Sequence, residues 1–183
     1  MVDLLFEDLR AELEQGQVVV MVGTGVSVGA TASAKVASWT GMLKDGVDRC
    51  EQVARPPVPD GWGDRLRAQI ASGDLWELLS AADNITERLG GRIGGEYRRW
   101  LRETVGQLRA KDKALIAALR DLGGILATTN YDGLLEEDTD TPPVTWRQRE
   151  LAQRVIRGDD PGVLHLHGYW QDPESVVLGI RSL

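Results

Sequence analysis

Cysteine is nearly absent from this chain: Cys50 stands alone among 183 residues. That excludes a disulfide framework within the chain, and a four-cysteine zinc site with it. Long apolar runs are missing too, none approaching the roughly 20 residues that a membrane-spanning helix needs. The first ten residues carry Asp3, Glu7 and Asp8, so they lack the basic start and apolar body of a secretory signal. No lysine- or arginine-rich run interleaves with aromatics, and the formal net charge is −7. Nucleic acid and anionic membrane are therefore poor partners for the bulk surface. A small anionic cofactor remains admissible, because a helix N-terminus binds phosphate even on an acidic protein. The expectation is a cytoplasmic globular protein without membrane contact, its length suiting one domain over residues 1–183.

What is present is organised around Val18 to Val22, an unbroken apolar run, and the glycine-rich turn Gly23-Thr24-Gly25-Val26-Ser27 that follows it. A short apolar run ended by a turn signal predicts a strand buried on both faces, as in a parallel sheet. Gly23 and Gly25 carry no Cβ, so the backbone there can turn tightly and approach a ligand. Ser27 adds a hydroxyl at the rim. The pattern suits delivery of a phosphate to backbone N–H groups at the carboxyl end of an α/β sheet.

Before that strand, Leu4, Leu5, Leu9 and Leu13 recur at helical spacing over Val2 to Gln15, with Gly16 as a helix stop. After it, Val28 to Ala34 is small-residue sequence that reads as a ligand-covering loop. Trp39, Met42, Leu43 and Val47 predict a helix ending near Cys50, and Ala54 to Gly63 a proline- and glycine-rich loop. A helical insertion over about 62–110 follows. In it, Asp74 is a candidate N-cap for Leu75 to Leu89, and a second helix carries Tyr97, Trp100, Leu101, Val105 and Leu108. Arg98, Arg99 and Arg102 read as that helix's solvated face. Asp112 to Leu122 is helical, with Leu115, Ile116, Ala118, Leu119 and Leu122 on its buried side. Ile125 to Thr128 is a strand, and Asp138 to Thr145 a loop holding Pro142 and Pro143. Val163 to Leu166 and Val176 to Leu178 are further strands.

Three strands thus end in chemically capable residues: Ser27, then Asn130 with Asp132, then His167. In an open parallel sheet such ends converge on one crevice. The fold expected is α/β, a Rossmann-like parallel sheet with helices on both faces and the helical insertion. His165 and His167 are expected on opposite faces of their strand, His165 in the core and His167 at the site.

The motifs Gly23-Thr24-Gly25-Val26-Ser27, Thr128-Thr129-Asn130-Tyr131-Asp132 and Leu166-His167-Gly168, in that order, resemble those of the sirtuin family. The spelling is closest to the bacterial sirtuin-like NAD-hydrolase domains of antiphage defence proteins, in which a tryptophan after the first loop, here Trp39, is common. The resemblance implies NAD as substrate and no metal. It implies that Gly23, Thr24 and Gly25 face the pyrophosphate and that Ser27 supports the nicotinamide-side ribose. Asn130 would bind ribose hydroxyls or position a water, and Asp132 with the Tyr131 backbone would hold the carboxamide. His167 would act as general base, a role suited to a group whose ordinary pKa is about 6.5. The segment and zinc-binding cysteines that frame an acyl-lysine cleft in deacylating sirtuins are missing, so protein deacylation is not implied. Nor is there a later strand end for the adenosine half. This suggests the amino-terminal part of a longer protein, or a shortened homologue, acting as a homo-oligomer or with carboxyl-terminal or neighbouring sensor regions.

Overall fold

The computed structural model describes residues 2–15, 18–137 and 139–180. Four strands, β1 (Val19–Val22), β2 (Ile125–Thr128), β3 (Pro143–Thr145) and β4 (Val163–His165), form one sheet in the order β1-β2-β4-β3. Every pairing is parallel, with Val22 opposite Thr128 and Thr128 opposite His165. All strands therefore end on the same side. The described helices are α1 (Val2–Glu14), α2 (Thr24–Ala30), α3 (Trp39–Val53), α4 (Trp62–Ser72), α5 (Leu75–Arg88), α6 (Gly95–Glu103), α7 (Lys113–Asp121) and α8 (Arg149–Arg157). None is long and apolar enough to cross a membrane. The architecture is α/β and Rossmann-like.

Side-chain alternation along the strands separates two apolar clusters. Val20, Val22, Leu126 and Val163 face a large core built from α2 to α7, in which Met42, Leu43, Ile85, Tyr97 and Trp100 are buried. Ala127 and Leu164 face a smaller cluster with Val144 and with Val155 of α8. Asp74 caps α5, accepting from the N–H groups of Trp76 at 2.9 Å and Glu77 at 3.1 Å. Asp112 caps α7 through the N–H of Leu115 at 3.2 Å.

Several expectations are corrected. β1 is not buried on both faces: it is an edge strand, and α8 covers only the other end of the sheet, so Val19 and Met21 stay 52% and 66% exposed. Leu4, Leu5, Phe6 and Leu9 of α1 are exposed as well, and the expected helix stop at Gly16 lies outside the described residues. The stretch after Ser27 is a loop only from Thr31 to Ala34, because α2 begins at Thr24 and runs to Ala30. Its small residues allow close packing on α7: a Cβ on Gly29 would lie 3.3 Å from the Leu115 side chain. Ala118 of α7 and Leu122, the residue after it, are exposed and not on a buried side. α6 stops at Glu103, where the Thr104 hydroxyl donates back to the Trp100 carbonyl at 2.6 Å, and a short 3-10 turn, Val105–Gln107, follows.

The fourth strand is Pro143–Thr145 and not Val176–Leu178. Pro143 has no N–H to give, which is tolerable at the first residue of an edge strand. Val176 to Leu178 runs instead over the carboxyl ends of the strands. There its backbone is used singly, the Val177 N–H donating to the His167 carbonyl at 2.8 Å and the Val177 carbonyl accepting from the Tyr131 hydroxyl at 2.9 Å.

Candidate active site

A cavity of about 390 Å³ opens where the strands end. Thr24 enters it from the start of α2, Thr129 to Asp132 from the end of β2, and His167 from the turn after β4. Trp39 and Met42 of α3, Leu75 and Leu79 of α5, and Val177 and Leu178 supply its apolar wall. Gly23, the residue before α2, is extended and no side chain caps the helix. The first N–H groups of α2 are thus without a side-chain acceptor, and a Cβ at Gly25 would meet nothing within 4 Å. The Trp39 indole N–H is buried without a hydrogen-bond partner.

The polar residues form a chain. The Asn130 amide donates to the Ser27 hydroxyl at 2.7 Å, and that hydroxyl donates to one Asp132 oxygen at 2.7 Å. The other Asp132 oxygen accepts from the Leu134 N–H at 3.2 Å, so Asp132 caps a turn as well as facing the cavity. Burial raises the Asp132 carboxyl above the usual carboxylate range, against the opposing pull of the Ser27 hydrogen bond. The loop holding Asn130 is pinned from several sides. Its N–H donates to the Thr128 hydroxyl at 3.0 Å, and the Trp170 N–H donates to the Tyr131 carbonyl at 3.0 Å. Burial also pushes the Tyr131 phenol up.

Beneath this layer, His165 is buried between two acceptors. Its Nδ1 lies 3.1 Å from the Asn130 carbonyl, and its Nε2 lies 2.7 Å from Glu136 Oε1. Since a carbonyl only accepts, Nδ1 carries a proton and donates it. His167, two residues on, is exposed at the cavity. Opposite strand faces are not the reason, because residues two apart on a regular strand share a face. β4 stops at His165 and the chain turns, the Gly168 N–H reaching back to the His165 carbonyl at 3.3 Å. Gly168 sits at φ +93°, where a Cβ would land on the Ser175 carbonyl, so the turn needs glycine.

The structure therefore brings Thr24, Asn130, Tyr131, Asp132 and His167 to the cavity itself, with Ser27 one hydrogen bond behind and Gly23 and Gly25 at the start of α2. Sequence reasoning missed Leu75, Leu79 and Val177 as cavity wall, and Glu136 as the partner of His165. The first two carry only a helical stripe, and the apolar run at Val177 imitates a strand. Among the described residues, no group of three or more His, Cys, Asp and Glu side chains is disposed to hold a metal.

The family model described as the SIR2-like domain matches residues 124–182, from β2 through the His167 turn to the cavity wall. That segment is SIR2-like. No solved structure matches it at a significant level. A SIR2-like domain points to NAD-related chemistry, and the matched segment holds Asn130, Asp132 and His167. The SIR2-like stretch starts after α2, so Gly23 to Ser27 join the site through the sheet: β1 pairs with β2, and Ser27 bonds to Asn130.

Proposed function

We propose that this protein cleaves NAD between nicotinamide and its ribose, giving nicotinamide and ADP-ribose, with Asn130 and His167 as the catalytic residues. The observation that carries the reading is the convergence of three strand ends on one largely apolar cavity, two of them, with Asn130 and His167, belonging to the SIR2-like segment. Nicotinamide leaves with the bonding electron pair as a neutral ring, and positive charge grows on the ribose. Water then attacks the anomeric carbon and surrenders a proton. His167, exposed at the cavity, takes that proton. Asn130 spends its amide nitrogen on Ser27, which leaves its side-chain oxygen to accept from a ribose hydroxyl or the attacking water. The uncapped start of α2, with Thr24 and Gly25, suits the pyrophosphate. The Trp39 indole N–H is a buried donor in want of an acceptor, and the apolar wall limits bulk water. The spelling of the three motifs supports a role as the toxic effector of a bacterial antiphage defence system, acting as an oligomer or beside sensor regions.

A second reading, a module that binds NAD or ADP-ribose without cleaving it, is favoured by one feature. Ser27 and both oxygens of Asp132 are already engaged with protein partners. Incubation with NAD decides between them. Nicotinamide and ADP-ribose should rise together in equal amounts. NAD that binds by calorimetry yet stays intact in every assembled form would establish the module.

A further inference from the structure

A second recess, of about 380 Å³, lies between α6 and the loop after the His167 turn. Its lining comprises Gly95, Arg98, Arg99 and Arg102 of α6 with Trp170, Gln171 and Pro173. Three guanidinium groups around one concavity are unexpected on a chain of net charge −7. The acidic residues of α6 do not use them up. Arg49 of α3 holds Glu96 at 2.8 Å and Glu103 at 3.2 Å from the side. Arg99 shares Glu96 at 3.2 Å, Arg102 lies a loose 3.8 Å from Glu103, and Arg98 makes no ion pair among the described residues. Arg99 and Arg102 are more than half exposed, and such surface pairs are worth roughly 0–1 kcal/mol. Their guanidiniums can turn to a better acceptor at little cost.

The remaining walls are rigid and add donors. Gly95 opens α6 with no side-chain cap, and a Cβ there would meet nothing within 4 Å, so the helix start is accessible at the recess. Trp170 is fixed by its N–H bond to Tyr131 at 3.0 Å and by close packing on Gly106, where a Cβ would lie 2.9 Å from the indole. Planar forks on a helix face, a helix start and a fixed aromatic wall together fit one chemistry: tetrahedral phosphate oxygens, which accept paired N–H donors from arginine.

We propose that this recess binds a small ligand through a phosphate or pyrophosphate group held by Arg98, Arg99 and Arg102 against Trp170. Inorganic pyrophosphate, titrated calorimetrically into the whole chain at low salt, should bind saturably, and Arg98→Glu with Arg102→Glu should weaken it at least tenfold. That variant should melt with wild type, because the changed side chains are exposed. A parallel titration with ADP shows whether a nucleoside adds affinity, which Trp170→Ala would then remove. Binding that is absent from wild type, or that survives the double arginine variant and disappears with Ser27→Ala at the main cavity, overturns the proposal. Nicotinamide release takes no part in the readout, so failure here is distinct from failure of NAD cleavage.

Discussion

Two histidines only two residues apart live in opposite worlds. His165 is buried, with both ring nitrogens engaged by the Asn130 carbonyl and by Glu136. His167 is exposed at the cavity, with no side-chain hydrogen bond among the described residues. The first is held and holds the Asn130 loop in turn; the second is free to meet a substrate. A buried histidine bonded at both ring nitrogens makes scaffold, and a polar group left over at the edge of a cavity makes chemistry. Asn130 joins the two layers, its backbone carbonyl belonging to the His165 layer and its side chain to the cavity.

The largest expected effect lies in the buried layer. His165→Ala leaves Glu136 buried opposite nothing and should cost about 3 kcal/mol or more of stability, measured by urea unfolding. Adding Glu136→Leu removes the stranded carboxylate and should recover most of that loss. A cost for the single variant below about 1 kcal/mol would mean that the buried layer is not the scaffold argued for here.

At the mouth the signature reverses. His167→Ala and Asn130→Ala should each lower nicotinamide release on the order of 100-fold. His167→Ala should melt within a degree or two of wild type, since its side chain packs on little. Activity that survives His167→Ala but is lost in a folded His165→Ala protein would exchange the two roles.

The smallest effect sharpens the boundary between the layers. Because the Asp132 carboxyl is raised in the folded state, the folded protein holds a proton there more readily than the unfolded chain does. Its contribution to stability is present below the ordinary carboxylate pKa of about 3.9 and is lost as pH rises through the raised value. Asp132→Asn keeps an acceptor for Leu134 and removes the titration. Compared with this variant, wild type should lose melting temperature as pH rises above the ordinary carboxylate range. Parallel melting curves would show instead that Asp132 is ionised throughout.

The strand ends that build the cavity were legible because a buried parallel strand must be apolar until it reaches its crevice, where polarity returns abruptly: Val22 to Thr24, Thr128 to Asn130, Leu164 to His167. The difference between the histidines was legible in outcome and not in cause, since alternation alone would set both on one face. Pro143 hid an edge strand because proline signals loops, and Val176 to Leu178 imitated a strand because a cavity wall is also a short apolar run. Met21 misled in the same way, as an edge strand with one bare face reads like a central one. Glu136 and Trp170 carried no pattern at all, for their roles depend on partners from other elements.

The strand order has a consequence for how the protein is made. Among the described strands β4 comes last in the chain, yet it lies between β2 and β3, and β1 must wait more than a hundred residues for β2, its partner there. Such pairing is non-local, which slows folding and leaves unpaired strand edges exposed meanwhile. On the ribosome, β3 emerges with no neighbour to bond and can dock only after Val163 to His165 follow it. Asn130 and His167 meet at the same late moment, so a chain stalled before residue 163 holds most of the cavity lining but lacks His167 and the wall at Val177 and Leu178.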